Sequence, residues 1–188
     1  MLRAPLPAAR RRRPGSALIP LFPLVLTGLL LSGCGMSDDD TPKTPFSGTA
    51  STDDAVAAVK AVSSQIFDFA GVPAKASKAG PGVSACGDKD PKKYFQVYHP
   101  WNFEPNSGAD TAVAMKHLKE KLNTGGWVLK DEYYDNSPNK NLNLVADNDA
   151  KKMSVSIVEY GKRGTPSIGI NVISGCYQVP DGQKIEHS

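Results

Sequence analysis

The stretch Met153-Ser154-Val155-Ser156-Ile157-Val158, MSVSIV, sets apolar residues at 153, 155 and 157 against Ser154, Ser156 and Val158. Successive side chains of an extended chain point to opposite faces. Alternation of this kind therefore marks a strand with one buried face, as antiparallel sheets have. The same pattern extends both ways along the chain. Upstream, Leu142, Leu144 and Ala146 alternate with asparagines and Val145, and Asp147-Asn148-Asp149-Ala150 supplies a hairpin loop. Downstream, Gly161 to Pro166 (GKRGTP) is a second hairpin loop, followed by Ile168, Ile170 and Val172 in a strand that ends at Cys176. Trp127 to Tyr134 is a further strand candidate, so this half of the chain reads as an antiparallel meander.

Before the meander the period changes. Ala55, Val59, Val62, Ile66 and Phe69 recur at three and four residues behind Asp53 and Asp54, with Gly71 and Pro73 as stop signals. This is one apolar stripe of a capped helix. Ala74 to Lys93 is rich in Gly, Pro and Lys and reads as a loop containing Cys86. Tyr94 to His99 (YFQVYH) reads as a strand ahead of Pro100, and a second helix starts near Ser107 or Asp110. It places Thr111, Met115, Leu118 and Leu122 on one face and ends at Gly125-Gly126. The expected fold class is α+β: an N-terminal helix, then β-α-β and the meander, with the helices packed on one sheet. No internal repeat is visible.

The first 33 residues read as an address. Arg3 and Arg10 to Arg13 precede an apolar run, Ala17 to Leu31, interrupted by Pro20 and Pro23. That run is shorter than the roughly 20 residues of a spanning helix and has the dimensions of a secretory signal. Leu31-Ser32-Gly33-Cys34 resembles a bacterial lipobox, which implies cleavage between Gly33 and Cys34 and a diacylglyceryl group on the Cys34 sulfur. The alternatives are a secreted protein with a coincidental cysteine and an uncleaved anchor. Residues 34–52, with the segment GMSDDDTPKTPFSGTAST after the cysteine, read as a flexible tether, of reach on the order of 23 Å. Residues 53–188 then form a single domain.

With Cys34 lipidated, Cys86 and Cys176 remain, and in an oxidising compartment they most simply form a disulfide closing a loop of about 90 residues. No CxxC and no histidine at ligand spacing supports a metal or redox site instead. The bridge requires the two Cα atoms to approach within roughly 7 Å. It therefore places Tyr94 to His99 beside, or one strand removed from, Ser167 to Cys176.

The net charge is +3 at pH 7, and loss of the five signal arginines leaves −2 with Arg163 the sole remaining arginine. A nucleic-acid binder shows a basic face, so nucleic acid is not an expected partner. The motifs that resemble catalytic ones fall short. Gly80 to Ala85 matches GxGxxA but lacks the strand, turn, helix context of a dinucleotide site. Ser84 sits in a near nucleophile elbow whose last glycine is replaced by Cys86. Asp147 to Asp149 lack the glycine and glutamate of an EF-hand. His99, His117 and His187 form no metal motif and read as surface residues. No catalytic residue, metal or cofactor is expected; a small secreted hydrolase using Ser84 or His99 is the least favoured alternative.

Tyr94 to Phe103 holds five of the fourteen aromatic residues. Phe95, Val97, Trp101 and Phe103 suit a core, with the tyrosines at its rim. Tyr94, Tyr98 and Trp101 also make a candidate binding surface, since aromatic faces bury area while keeping polar handles wet. The occupant would be an envelope protein or a cell-wall glycan.

Taken whole, the chain resembles small cell-surface lipoproteins of actinobacteria, a group without assigned activity. The resemblance rests on the arginine-rich signal, LSGC at 31–34, the acidic tether, GPGVSACGD at 80–88, HPW at 99–101, LNTGGW at 122–127 and SGC at 174–176. It implies a lipid-anchored protein on the extracytoplasmic face of the cell membrane and a non-catalytic binding or interaction module. It supplies no catalytic residues.

Overall fold

The computed structural model describes residues 44–161 and 165–187. Gly33, Cys34, Arg163 and the signal segment lie outside the described residues. The described chain is a mixed α/β domain of two helices and a curled nine-strand sheet. In chain order the elements are β1 (Phe46–Thr49), α1 (Thr52–Ala70), β2 (Ala74–Ala76), β3 (Gly82–Ala85), β4 (Tyr94–Pro105) and α2 (Gly108–Lys121). The meander follows as β5 (Trp127–Tyr134), β6 (Leu142–Asn148), β7 (Met153–Tyr160), β8 (Ser167–Ser174) and β9 (Cys176–Gln178).

Both helices start on serine caps. Ser51 Oγ accepts from the Asp54 N–H and Ser107 Oγ from the Asp110 N–H, each at 3.1 Å, which satisfies one of the unpaired donors of a first turn. Gly71, at φ 62°, closes α1 in the left-handed conformation that glycine adopts most readily. α1 buries Ala55, Val59, Val62, Ile66 and Ala70, while α2 buries Thr111, Ala114, Met115 and Leu118. The helices pack on each other and against β4.

β4 runs for 12 residues. Along one edge it pairs antiparallel with β3 and β2; along the other it pairs with β9 and β8. Tyr98 opposes Ile173 and His99 opposes Val172, so the expected neighbourhood of these two strands is observed. β7, β6 and β5 continue the sheet in antiparallel order, and β1 adds to β9 in parallel. The strand continues through Pro100 because its ring costs a hydrogen bond only where a partner needs the donor. β2 and β3 leave the β4 edge bare around Pro100, whose neighbour on the other side is Asn171.

Two expectations are corrected. The 74–93 loop contains β2 and β3, three and four residues long, whose ladder bonds come from β4 rather than from any alternation of their own. The tether was expected to run to Thr52; instead Phe46–Thr49 forms β1 and Ser51 caps α1. Gly175 explains how β1 docks. A Cβ there would collide with the Pro45 carbonyl oxygen, and Cys176 N–H donates to that same oxygen at 2.7 Å. At this point the β4 ladder is also interrupted, and the Ser174 hydroxyl takes the place of a backbone acceptor for the Val97 N–H, at 3.0 Å.

The disulfide joins Cys86, just past β3, to Cys176 at the start of β9, with Cα atoms 5.7 Å apart and both residues buried. It spans β4 near Phe95, whose neighbours are Ala85 on one side and Tyr177 on the other. Phe95 stacks on Tyr177 at 5.7 Å. Cys86→Ala and Cys176→Ala are each expected to lower unfolding free energy by about 2–5 kcal/mol. Urea denaturation checks this, and reduction of the unsubstituted protein should give a loss of the same size.

Candidate functional site

Twelve residues of unbroken strand decide which aromatic residues share a face. On β4 the side chains of Phe95, Val97, His99, Trp101 and Phe103 are buried, and those of Tyr94, Gln96, Tyr98, Pro100, Asn102 and Glu104 alternate with them. Tyr94 and Tyr98 therefore lie on the face opposite Trp101. The three do not form one surface. Sequence periodicity had stopped the strand at His99; its continuation through Pro100 carries Trp101 to the core side.

Tyr98 is 38% exposed and covers Gly82, where an added Cβ would stand 2.6 Å from the tyrosine ring. Tyr160 covers Gly169 in the same manner, at 2.8 Å. Each glycine leaves room for the ring of a neighbouring strand. Tyr94 receives Lys89 Nζ at 4.7 Å from its ring centroid, an exposed cation–π contact.

Trp101 belongs to a different constellation. Its ring meets Phe67 of α1 edge-on at 5.9 Å, and Phe67 meets Phe103 at 5.3 Å. Around these rings a groove of about 480 Å³ is lined by Lys60, Ser63, Ser64, Phe67 and Asp68 from α1, Ala76 and Ser77 from β2 and its end, and His99 with Trp101 from β4. The α1 residues recur at three, four, seven and eight positions, which makes them one stripe of the helix. A second stripe, centred on Val59, Val62 and Ile66, faces the core.

The groove has a polar wall of defined chemistry. His99 is 9% exposed. Its Nε2 lies 2.9 Å from the Ala79 carbonyl oxygen, which only accepts, so Nε2 carries the proton. Its Nδ1 lies 2.8 Å from Ser63 Oγ, so in the neutral ring the serine hydroxyl donates to Nδ1. Both nitrogens are thereby engaged. His99 is thus a buried strut between α1 and the 77–81 segment, which corrects its reading as a surface residue. His117 is likewise tied down, Nδ1 lying 3.0 Å from the Ala70 carbonyl oxygen.

Trp101 Nε1 is different: it is buried without a hydrogen-bond partner, on a side chain 9% exposed. A buried donor left unpaired costs about 1–3 kcal/mol.

Ser84, the near nucleophile elbow, stands in β3 opposite Gln96 rather than in the groove. Among the described residues no three His, Cys, Asp or Glu side chains come together to hold a metal ion. Comparison with known proteins matches no family model, no curated relative and no solved structure.

A second polar cluster lies before β6. Asp135 accepts from the Ser137 hydroxyl at 2.6 Å, from the Ser137 and Asn141 N–H groups, and from the Asn141 side-chain amide at 3.0 Å. The Ser137 hydroxyl is the chief cause that holds its carboxyl below the ordinary 3.8, against a smaller desolvation effect. The cluster is a clasp for the β5–β6 connection.

The clasp and the histidine strut give two predictions. Asp135 titrates lower folded than unfolded, so its contribution is full above about pH 4 and is lost as pH falls through the lowered value. Asp135→Asn should lose stability at pH 6, with the gap to the unsubstituted protein closing below pH 3.8, as followed by urea midpoints across pH. Ser63→Ala should cost about 1–3 kcal/mol by stranding His99 Nδ1. Exposed Ser64→Ala should stay within about 0.5 kcal/mol on the same assay.

Proposed function

We propose that this chain is a lipid-anchored envelope protein, a non-catalytic binding module that takes its ligand in the groove between α1 and β4. The observation that carries the binding assignment is the groove itself, about 480 Å³ with Phe67 and Trp101 as apolar lining and Ser63, Ser64, Ser77 and His99 as polar lining. The lipobox resemblance at Leu31 to Cys34 supports anchoring through the Cys34 lipid at the extracytoplasmic face of the cell membrane. The Cys86–Cys176 disulfide accords with an oxidising compartment.

In this reading the α+β arrangement stacks both helices on one side of the sheet. The opposite side, carrying Tyr98, Asn102, Ser156, Tyr160 and Asn171, supports a second reading, a cell-wall glycan bound to the sheet face. Tyr98 and Tyr160 are 38% and 46% exposed there. An envelope protein is the other partner class that fits this face.

Radiolabelled palmitate should enter the wild-type protein in cells, and Cys34→Ala should abolish labelling and release the domain from the membrane. Equal labelling and retention in the variant would contradict lipid anchoring. For the site itself, a photo-crosslinking side chain at Asp68 should capture ligand from intact cells where one at Ser156 does not. The reverse pattern would favour the sheet face.

A further inference from the structure

Between β2 and β3 the chain leaves its partner strand. β2 runs antiparallel to β4 with Ala76 opposite Phe103, and β3 resumes with Gly82 opposite Tyr98. Ser77 still follows the register of β2: its N–H donates to the Asn102 carbonyl oxygen at 2.8 Å, and its Oγ accepts from the Asn102 N–H at 3.1 Å. Residues 78–81 then stand against 99–101, four against three, so the segment bulges. Asn102 turns both backbone groups to this edge, so Pro100, two residues earlier, faces it as well and has no N–H to give. Among the described residues one further hydrogen bond ties the segment down, His99 Nε2 to the Ala79 carbonyl oxygen at 2.9 Å. Lys78, Ala79 and Gly80 are exposed. Few bonds and little burial mark a segment that opens on its own, ahead of the domain.

The segment is also a partition. On the helix side Ser77 and Trp101 line the groove. On the opposite side of the sheet Ser77, Ala79 and Trp101 line a second depression, of about 480 Å³. Both hollows meet at the same stretch of β4 edge, with residues 77–81 between them. We propose that this segment is a hinged strap latched by His99. Closed, it forms the wall of the groove on the β2 side. Open, with the bonds to His99 and Asn102 broken and β2 and β3 still in place, it swings off the β4 edge and joins the groove to the depression behind it. His99 suits the latch because Ser63 holds its other nitrogen, so α1, β4 and the strap meet in one side chain. The role of the strap in controlling access rests on the groove being the binding site; its opening does not.

Amide hydrogen exchange of the full chain in detergent tests this without a ligand. The Asn102 N–H is held by the strap, whereas the Trp101 and Phe103 N–H groups on either side turn toward β8. Asn102 should exchange at least about 30-fold faster than these two neighbours. Its rate should stay nearly flat as urea is raised below the unfolding midpoint, while theirs climb, because a local opening exposes little surface. His99→Phe, which keeps a ring and removes the latch, should speed Asn102 exchange about 5- to 150-fold, the effect of losing one buried hydrogen-bond partner. Equal rates and equal urea slopes for the three amides would overturn the strap, and this readout on the unsubstituted chain stands if His99→Phe folds poorly. An unchanged Asn102 rate in folded His99→Phe would overturn His99 as the latch. The photo-crosslinking side chain at Asp68 decides the rest. No capture there would overturn the groove as the binding site, and with it the strap as its gate, while the exchange result on strap opening would stand.

Discussion

The pairing of β4 along both of its edges is the constraint from which the rest of the domain follows. Twelve residues in one strand hold β3 and β2 on one side and β8 and β9 on the other. The disulfide closes this arrangement where it is weakest, at the Ser174–Gly175 interruption of the ladder, by tying Cys86 to Cys176 across the end of β4. A loop of 90 residues is thereby withdrawn from the unfolded ensemble, worth about 4–5 kcal/mol in the chain-entropy model. That is a large share of the roughly 5–15 kcal/mol by which domains are stable. The other end of the sheet closes differently. β5 presents an open edge, but a register shift between Leu129 and Asp131 and the exposed charges of Lys130 to Glu132 discourage further pairing.

The same strand divides labour between two faces. The odd-numbered residues from Phe95 to Phe103 pack under the helices, and there the helix stripe Lys60, Ser63, Ser64, Phe67 and Asp68 leaves a groove instead of closing on the sheet. Serines in the middle of a helix compete with its backbone hydrogen bonds. Ser63 has another use, holding His99 and through it the Ala79 carbonyl. The groove wall is therefore braced from two elements, α1 through Ser63 and the 77–81 segment through the Ala79 carbonyl.

Much of the architecture was legible because period-two and period-three-to-four patterns survive wherever one face is buried. Both helices, β5 to β8 and the pairing of β4 with β8 follow from such patterns and from the two cysteines. β1, β2 and β3 were not legible: each is three or four residues long, too short to show alternation, and each owes its form to a neighbour's unpaired edge. The site was half visible. Trp101 was singled out, but Pro100 was read as a strand end, and that assignment grouped Trp101 with Tyr98 across a sheet that separates them. The Ser63-Ser64 pair inside an apolar helix was the available signal for the groove. His99 could not be read as buried from a single sequence, since its partners lie 36 and 20 residues away.

The central claim is that Trp101 faces α1 in a braced groove and not the tyrosines of β4. The nuclear Overhauser pattern of its indole ring tests this most directly. The account predicts cross-peaks from the Trp101 ring to Phe67, whose centroid is 5.9 Å away, and to His99 at 6.1 Å, with none to Tyr98. Cross-peaks between Trp101 and Tyr98, with none to Phe67, would contradict it.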